Sequence, residues 1–157
     1  MPLPTGKYML EKLPQRKILP HEIPSWVKQG TLYFITICGL PRGYNQFCRR
    51  EIGENIMASA QLYHDQFKWW VHLFILMPDH IHGLIAFPRD KSIKKLIGAW
   101  KGYLTKQNGI CWQRDFFDHR LRKEESIEEK VFYIRHNPVR AGLIDRYEDW
   151  PYVLETR

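Results

Sequence analysis

The chain has few cysteines and lacks the signals that mark secreted and membrane proteins. Its three cysteines, Cys38, Cys48 and Cys111, are odd in number and show no CxxC spacing. This usage argues against a disulfide framework and against a zinc ribbon. No apolar run approaches the roughly 20 residues of a membrane span, and the N-terminal sequence MPLPTGKYMLEKLPQRK lacks the apolar centre of a signal peptide. We therefore expect a protein of the reducing cytoplasm.

Several common enzyme motifs are also missing. The sequence contains no Gx[ST]xG nucleophile turn, no HExxH zinc motif and no GxxxxGK[ST] phosphate loop. What it has in excess is positive charge, because 24 Lys and Arg against 17 Asp and Glu give a net charge of +7. A basic surplus of this kind suits a polyanionic partner such as nucleic acid, although many basic proteins bind none.

The chain divides into a short N-terminal arm and one domain. Residues 1–30 hold five of the ten prolines together with several basic side chains, which predicts an extended basic arm. No repeats, low-complexity tracts or interior linkers interrupt the remainder, so residues 31–157 are expected to form a single domain.

Strand and helix patterns alternate along this domain. Runs of β-branched and aromatic residues predict strands at 31–40, 69–77, 80–87 and 111–122, with Pro78 and Asp79 as the turn of a hairpin. Helical spacing predicts helices at about 51–66, after an N-cap at Ser92, and at 124–137, where Ile127, Val131 and Ile134 form the buried side. This order predicts an α+β, ferredoxin-like fold with a mainly antiparallel sheet and helices packed on one face.

Two histidines stand out in the second strand of that hairpin. His80 and His82 flank Ile81 in an otherwise apolar run, and alternate residues of a strand share one face. Burying two imidazoles side by side is costly unless their nitrogens find partners, and a metal ion is one such partner. For an isolated pair, ordinary strand histidines bonded to carbonyls or water remain the commoner explanation.

A candidate nucleophile lies on the last predicted helix. Tyrosine can act as a nucleophile when it is held near an electrophile, and Tyr133 lies in the string FYIRHNPVRAGL. Asn137 is four residues further on and therefore on the same helix face. The alternatives are a half-buried helix aromatic for Tyr133 and, for Asn137, the N-cap of a short helix beginning at Pro138.

The strings MPDHIHGLI and YIRHNPVRAGLI, in this order, resemble the REP-associated tyrosine transposases, which are IS200-like members of the HUH class of single-strand nucleases. The resemblance spans most of the chain. It includes LYFITIC at 32–38, DWPY at 149–152, and the pattern formed by Trp112, Phe116, Asp118, His119 and Arg122.

The resemblance implies a metal-dependent single-stranded DNA endonuclease and strand transferase of DNA transposition. His80 and His82 match the positions that hold Mg²⁺ or Mn²⁺, and Asn137 matches the position of a third ligand. Tyr133 matches the nucleophile that becomes joined to a 5′-phosphate. The implied partner is single-stranded DNA that forms hairpins. Relatives act as dimers or as monomers, and the features of this chain favour a monomer.

Basic residues of the second half of the domain are the candidate DNA-binding residues, as expected for phosphate contacts. They are Lys94, Lys95, Lys101, Arg114, Arg120, Arg122, Arg135 and Arg140. Two alternative functions remain open. One is a non-catalytic nucleic-acid-binding domain that retains the fold, and the other is a different HUH nuclease, such as a relaxase or replication initiator, against which the short chain counts.

Overall fold

The fold is a six-stranded sheet with helices, seen in a computed structural model that describes residues 17–19, 26–27, 32–122 and 125–156. The strands are β1 (Lys17–Leu19), β2 (Leu32–Cys38), β3 (Trp70–Leu76), β4 (His80–Ala86), β5 (Phe117–Arg120) and β6 (Val153–Thr156). The α-helices are α1 (Arg50–Asp65), α2 (Ile93–Asn108), α3 (Ile127–Arg135) and α4 (Asn137–Arg140), and a 3₁₀ turn covers Tyr147–Asp149. No helix in these ranges is both long enough and apolar enough to span a bilayer.

The strand order is β1-β6-β3-β4-β2-β5. β1 runs parallel to β6, and every other neighbouring pair is antiparallel. The predicted hairpin is confirmed, because Met77 N donates to His80 O at 2.8 Å across the Pro78-Asp79 turn. The register of β2 against β4 places Thr36 opposite His82, so the sheet joins the histidine strand to a segment far away in sequence.

One face of the sheet carries α1 and α2. Trp100 of α2 packs edge-on against Phe74 of β3 at 6.0 Å and donates its indole N–H to Ser59 Oγ of α1 at 2.9 Å. Phe74 lies opposite Gly83, so the side chains of Ile81 and Ile85 share its face. The main aromatic core therefore lies between the sheet and these two helices.

The opposite face carries the histidines and α3. Thr36, His80 and His82 alternate with the core residues, so their side chains lie on the other side of the sheet. There α3 contacts β3 and β4, its Ile134 is fully buried, and Arg135 forms an ion pair with Glu155 of β6. The predicted α+β class and mainly antiparallel sheet are confirmed. Helices α1 and α2 share a face, whereas α3 packs on the opposite one.

Several local predictions need adjustment. The strand predicted at 111–122 is interrupted, because Trp112 forms only an isolated bridge with Gly39 and Asp115 adopts a left-handed φ of 63° before β5 begins. Ile127 is 45% exposed instead of buried. The N-cap at Ser92 is confirmed, since its side chain accepts a hydrogen bond from Lys95 N at 3.2 Å.

Two short strands were not predicted, the edge strand β1 and its neighbour β6. β1 has three residues and β6 has four, which is too short to show a clear periodicity. β1 falls within the predicted arm. Apart from β1 and residues 26–27, the arm lies outside the described residues, as does residue 124 at the start of the predicted last helix.

Candidate active site

His80 and His82 form the centre of the candidate site. Their rings lie 4.7 Å apart, centroid to centroid, in an edge-to-face arrangement. His80 Nδ1 is 2.8 Å from Asp79 Oδ1, and His82 Nδ1 is 3.0 Å from Thr36 Oγ1. Because the Asp79 carboxylate only accepts hydrogen bonds, His80 donates from Nδ1, and in the neutral ring this tautomer leaves the lone pair on Nε2. A partner that orients one ring nitrogen while the other faces a ligand is typical of metal-binding histidines.

Asp79 connects the turn to His80. Its Oδ2 accepts hydrogen bonds from Gly43 N at 2.8 Å and from Arg42 Nε at 2.9 Å, while Oδ1 faces His80. Burial by itself raises the pKa of this carboxyl, but the bonds from Gly43, His80 and Arg42 outweigh burial and lower the pKa to about 2. Asp79 is therefore ionised at neutral pH and gives His80 a fixed anionic partner.

His82 is held as the neutral imidazole. Burial is the main cause that lowers its pKa to about 3, and the positive charges of His80, Arg140 and Arg42 lower it further. A metal binds neutral imidazole, so no proton has to be removed from His82 at neutral pH before it can act as a ligand.

The two histidines fit part of a metal coordination shell. Within the described ranges, no group of three or more His, Cys, Asp or Glu side chains is placed to hold an ion. A metal at the pair would therefore need its other ligands from an amide, water or phosphate oxygen. Such a mixed nitrogen and oxygen donor set suits Mn²⁺ and is compatible with Mg²⁺.

Tyr133 lies on α3, on the face of the sheet that carries the histidines. Its side chain is 53% exposed. The guanidinium carbon of Arg140 lies 4.2 Å from the centre of the Tyr133 ring, and Arg140 Nη2 donates to Tyr133 O. The charge of the same arginine acts on His82. Arg140 therefore contacts Tyr133, and its positive charge is also felt at His82.

Asn137 is the first residue of α4, one helical turn after Tyr133. The alternative role as an N-cap is wrong, because α4 begins at Asn137 itself and has no side-chain capping bond. Its role as a third ligand stays a prediction.

Most of the predicted DNA-binding residues are exposed, but two are engaged within the fold. Lys94, Lys95, Arg114, Arg120, Arg122 and Arg140 are exposed. In contrast, Lys101 Nζ donates to the carbonyls of Gln113 at 2.9 Å and Asp115 at 3.0 Å. Arg135 pairs with the buried Glu155. Both therefore have a structural role in this fold.

Sequence reasoning missed the residues that support the histidines. Thr36 orients His82, and Phe34 stacks on the His82 ring with centroids 5.5 Å apart. Lys130 of α3 lies over the Phe34 ring at 6.0 Å. Only the register of β2 against β4 identifies Thr36. Asp79 lies beside His80 in the sequence, where its position predicts only a turn residue.

Comparison with known proteins agrees with this geometry. The model of the family described as "Transposase IS200 like" matches residues 40–137. This chain belongs to the IS200-like transposase family. A Haemophilus influenzae protein named as a REP-associated tyrosine transposase is 29% identical over 142 residues, which cover 79% of each chain. The Escherichia coli REP-associated tyrosine transposase is 27% identical over 85 residues, or 52% of each chain.

A solved structure shares the fold of this IS200-like transposase. It is a REP-associated tyrosine transposase bound to a REP hairpin, and it superposes with a TM-score of 0.69 at 20% identity. The match covers 85% of this chain and 82% of the other. The resemblance predicted from the sequence motifs is confirmed.

Proposed function

We propose that this transposase is a metal-dependent single-stranded DNA endonuclease and strand transferase that acts through a covalent 5′-phosphotyrosine intermediate. One observation carries the proposal. Both His80 and His82 have Nδ1 beside a hydrogen-bond partner, and the exposed Tyr133 lies on the same face of the sheet beside Arg140.

Each residue has a distinct role in this reaction. His80 and His82 would hold the ion through Nε2, with Asn137 as the proposed third protein ligand. When bound, Mg²⁺ or Mn²⁺ acts as a Lewis acid that offsets the charge of the scissile phosphate. Arg140 places a positive charge 4.2 Å from the Tyr133 ring centre, where it would stabilise the negative charge on the phenol oxygen once its proton has left and before the bond to phosphorus forms.

The cleavage reaction forms one bond to phosphorus and breaks another, so it needs no external energy source. Tyr133 Oη gives up its proton and forms a bond to phosphorus, and the bond from phosphorus to the 3′-oxygen breaks. The leaving 3′-oxygen takes a proton and becomes a free hydroxyl. The phosphotyrosine keeps the energy of the broken phosphodiester, so a 3′-hydroxyl can later attack it and join two strands without ATP.

The proposed substrate is single-stranded DNA that forms a hairpin. A solved relative with the same fold is bound to a REP hairpin, and this chain has a net charge of +7. DNA transposition and the processing of repeat hairpins both require cleavage and rejoining of such strands.

The tyrosine is tested by Tyr133→Phe, with Tyr103→Phe as a matched control. Both side chains are about equally exposed, at 53% and 51%, but Tyr103 lies on α2 on the opposite face of the sheet. Wild type and Tyr103→Phe should form a protein–DNA adduct with a hairpin oligonucleotide and Mn²⁺, visible on a denaturing gel. Tyr133→Phe should form none and should still bind the DNA. An adduct that persists in Tyr133→Phe would exclude this nucleophile.

The metal role is tested by the double variant His80→Ala/His82→Ala and by chelation. Adduct formation should be lost in EDTA, return with Mn²⁺ in the wild type, and stay absent in the double variant. Full activity in EDTA would exclude the metal. Binding of hairpin DNA without an adduct under any of these conditions would favour a non-catalytic binding domain.

A further inference from the structure

A row of aromatic rings runs from the histidine pair to an edge of the sheet. The His82 ring stacks on Phe34 of β2, with centroids 5.5 Å apart, and Phe34 in turn meets Phe117 of β5 edge-to-face at 6.2 Å. β5 is the last strand in the sheet order. Phe117 lies opposite Thr36, and Thr36 lies opposite His82. Since directly opposed residues share a face, Phe117 lies on the face that carries the candidate active site.

Phe117 is the most open ring of this row. It is 58% exposed, whereas Phe34 is half-buried. The His82 ring covers part of Phe34, and Lys130 of α3 lies 6.0 Å from the Phe34 ring centre. A phenylalanine with this exposure buries little apolar area and therefore adds little to the stability of the fold. Its ring is left available to a ligand at the outer end of the row.

The size of this apolar surface indicates the kind of ligand. The residues that follow Phe117 in β5 are polar or charged, namely Asp118, His119 and Arg120. The exposed apolar area along this strand is therefore about that of one ring. Stable protein interfaces bury on the order of 1,000 Å² or more, which one ring cannot supply. One planar aromatic group of similar size can stack on it.

We propose that Phe117 is a stacking platform for one unpaired base of the DNA strand, close to the phosphate that Tyr133 attacks. The inference rests on the proposed function, in which the histidine pair holds the metal at that phosphate. Aromatic side chains bind single strands by stacking on bases, and this stacking tolerates any base because every base has a π-face.

The sheet sets the distance between the platform and the metal site. His82, Thr36 and Phe117 lie side by side on three adjacent strands. Neighbouring strands are about 4.8 Å apart, so Phe117 is roughly 10 Å from His82 across the sheet. Successive nucleotides are about 3.4 Å apart in a stacked strand and farther apart in an extended one. The stacked base therefore lies within about three nucleotides of the scissile phosphate.

The test pairs changes in the protein with removal of single bases from the DNA. The DNA is a hairpin with unpaired flanks, made as a series in which one unpaired nucleotide at a time is abasic. Its Kd is measured by fluorescence anisotropy for Phe117→Ala and Phe117→Trp in a Tyr133→Phe parent that cannot cleave. Phe67→Ala is the matched control, because Phe67 is 49% exposed and lies in the turn between α1 and β3. Thermal unfolding shows that each variant is folded.

The expected result is a coupling between Phe117 and one base. Loss of a base stack corresponds to a rise in Kd of about 5–150-fold, which we expect for Phe117→Ala on intact DNA. One abasic position should weaken the parent by a similar factor and change the Kd of Phe117→Ala less than threefold. Phe117→Trp keeps an aromatic face and should behave as the parent, and Phe67→Ala should stay within threefold of it.

Three results would overturn the proposal. The first is a Kd for Phe117→Ala within threefold of the parent, and the second is equal weakening by Phe117→Ala and Phe67→Ala. The third is an abasic series in which every loss adds fully to that of Phe117→Ala, because independent losses mean that no base contacts this ring.

The adduct assay separates this proposal from the proposed function. If wild-type protein forms no adduct with any strand, the endonuclease assignment fails. The coupling between Phe117 and one base is measured without cleavage, so its presence or absence decides the stacking platform independently.

Discussion

Replacing Thr36 by valine tests whether the sheet holds His82 ready for a metal. Thr36 Oγ1 lies 3.0 Å from His82 Nδ1. For Nε2 to accept a metal, Nδ1 must carry the proton and donate to this oxygen. Valine keeps the β-branched shape of threonine but cannot accept the hydrogen bond. The substitution therefore removes the partner that fixes the tautomer and leaves the strand pairing in place.

The size of the effect follows from the lost hydrogen bond. A half-buried N–H without a partner costs about 1–3 kcal/mol. Since about 1.4 kcal/mol is a factor of ten in affinity, we expect Thr36→Val to weaken Mn²⁺ binding by about 10–100-fold. Losses of this size are typical when the outer partner of a metal-ligating histidine is removed.

The assay is a calorimetric titration of Mn²⁺ into the Tyr133→Phe protein with bound hairpin DNA, with and without Thr36→Val. Thr156→Val is the matched control, because Thr156 Oγ1 donates to Val71 O at 3.1 Å in another part of the sheet. This control should bind Mn²⁺ as the parent does. The reasoning would be refuted if Thr36→Val stayed within threefold of the parent, or if the two threonine variants weakened binding equally.

Stability measurements test the packing and the buried histidines. Gly53→Ala should destabilise the fold by about 1–3 kcal/mol, because a Cβ there would lie 2.5 Å from a ring carbon of Tyr152. Gly98→Ala lies in a helix with open space around the position and should stabilise the fold by up to about 1 kcal/mol. If urea unfolding showed Gly53→Ala to be more stable than Gly98→Ala, the close contact between Gly53 and Tyr152 would be contradicted. Burial lowers the pKa of His64 and of His72, so the unfolded chain binds more protons once the pH falls below about 6.5. The unfolding free energy should therefore decrease from pH 7 to pH 5, and a flat or rising profile over this range would show that these histidines are not buried in the neutral form.

The parts of the site that depend on local sequence could be predicted. Side chains alternate between the two faces of a strand, which places His80 and His82 on the same face. The Pro78-Asp79 turn defines the hairpin. Helical spacing relates Tyr133 to Asn137. These relations lie within a few residues of each other, so strand and helix periodicity is enough to reveal them.

The parts that depend on tertiary contacts could not be predicted. Thr36 is 46 residues from His82, and only the register of β2 against β4 brings them together. The exposure of Ile127 has a similar cause. Ile127 is exposed, Val131 is half-buried and Ile134 is fully buried, so α3 rests on the sheet by its C-terminal half. The sequence does not distinguish Lys101 from a surface lysine, because its hydrogen bonds to the carbonyls of Gln113 and Asp115 depend on the position of that loop in the folded chain.

The most direct measurement of the central claim is to locate the DNA on the protein after cleavage. The wild-type protein is incubated with hairpin DNA and Mn²⁺, then digested with trypsin and nuclease. Cleavage after Lys130 and Arg135 releases the peptide VFYIR, in which Tyr133 is the only tyrosine. Mass spectrometry should find a nucleotide joined through its 5′-phosphate to this peptide. A nucleotide on any other tyrosine, or cleaved DNA with no nucleotide on the protein, would contradict the account.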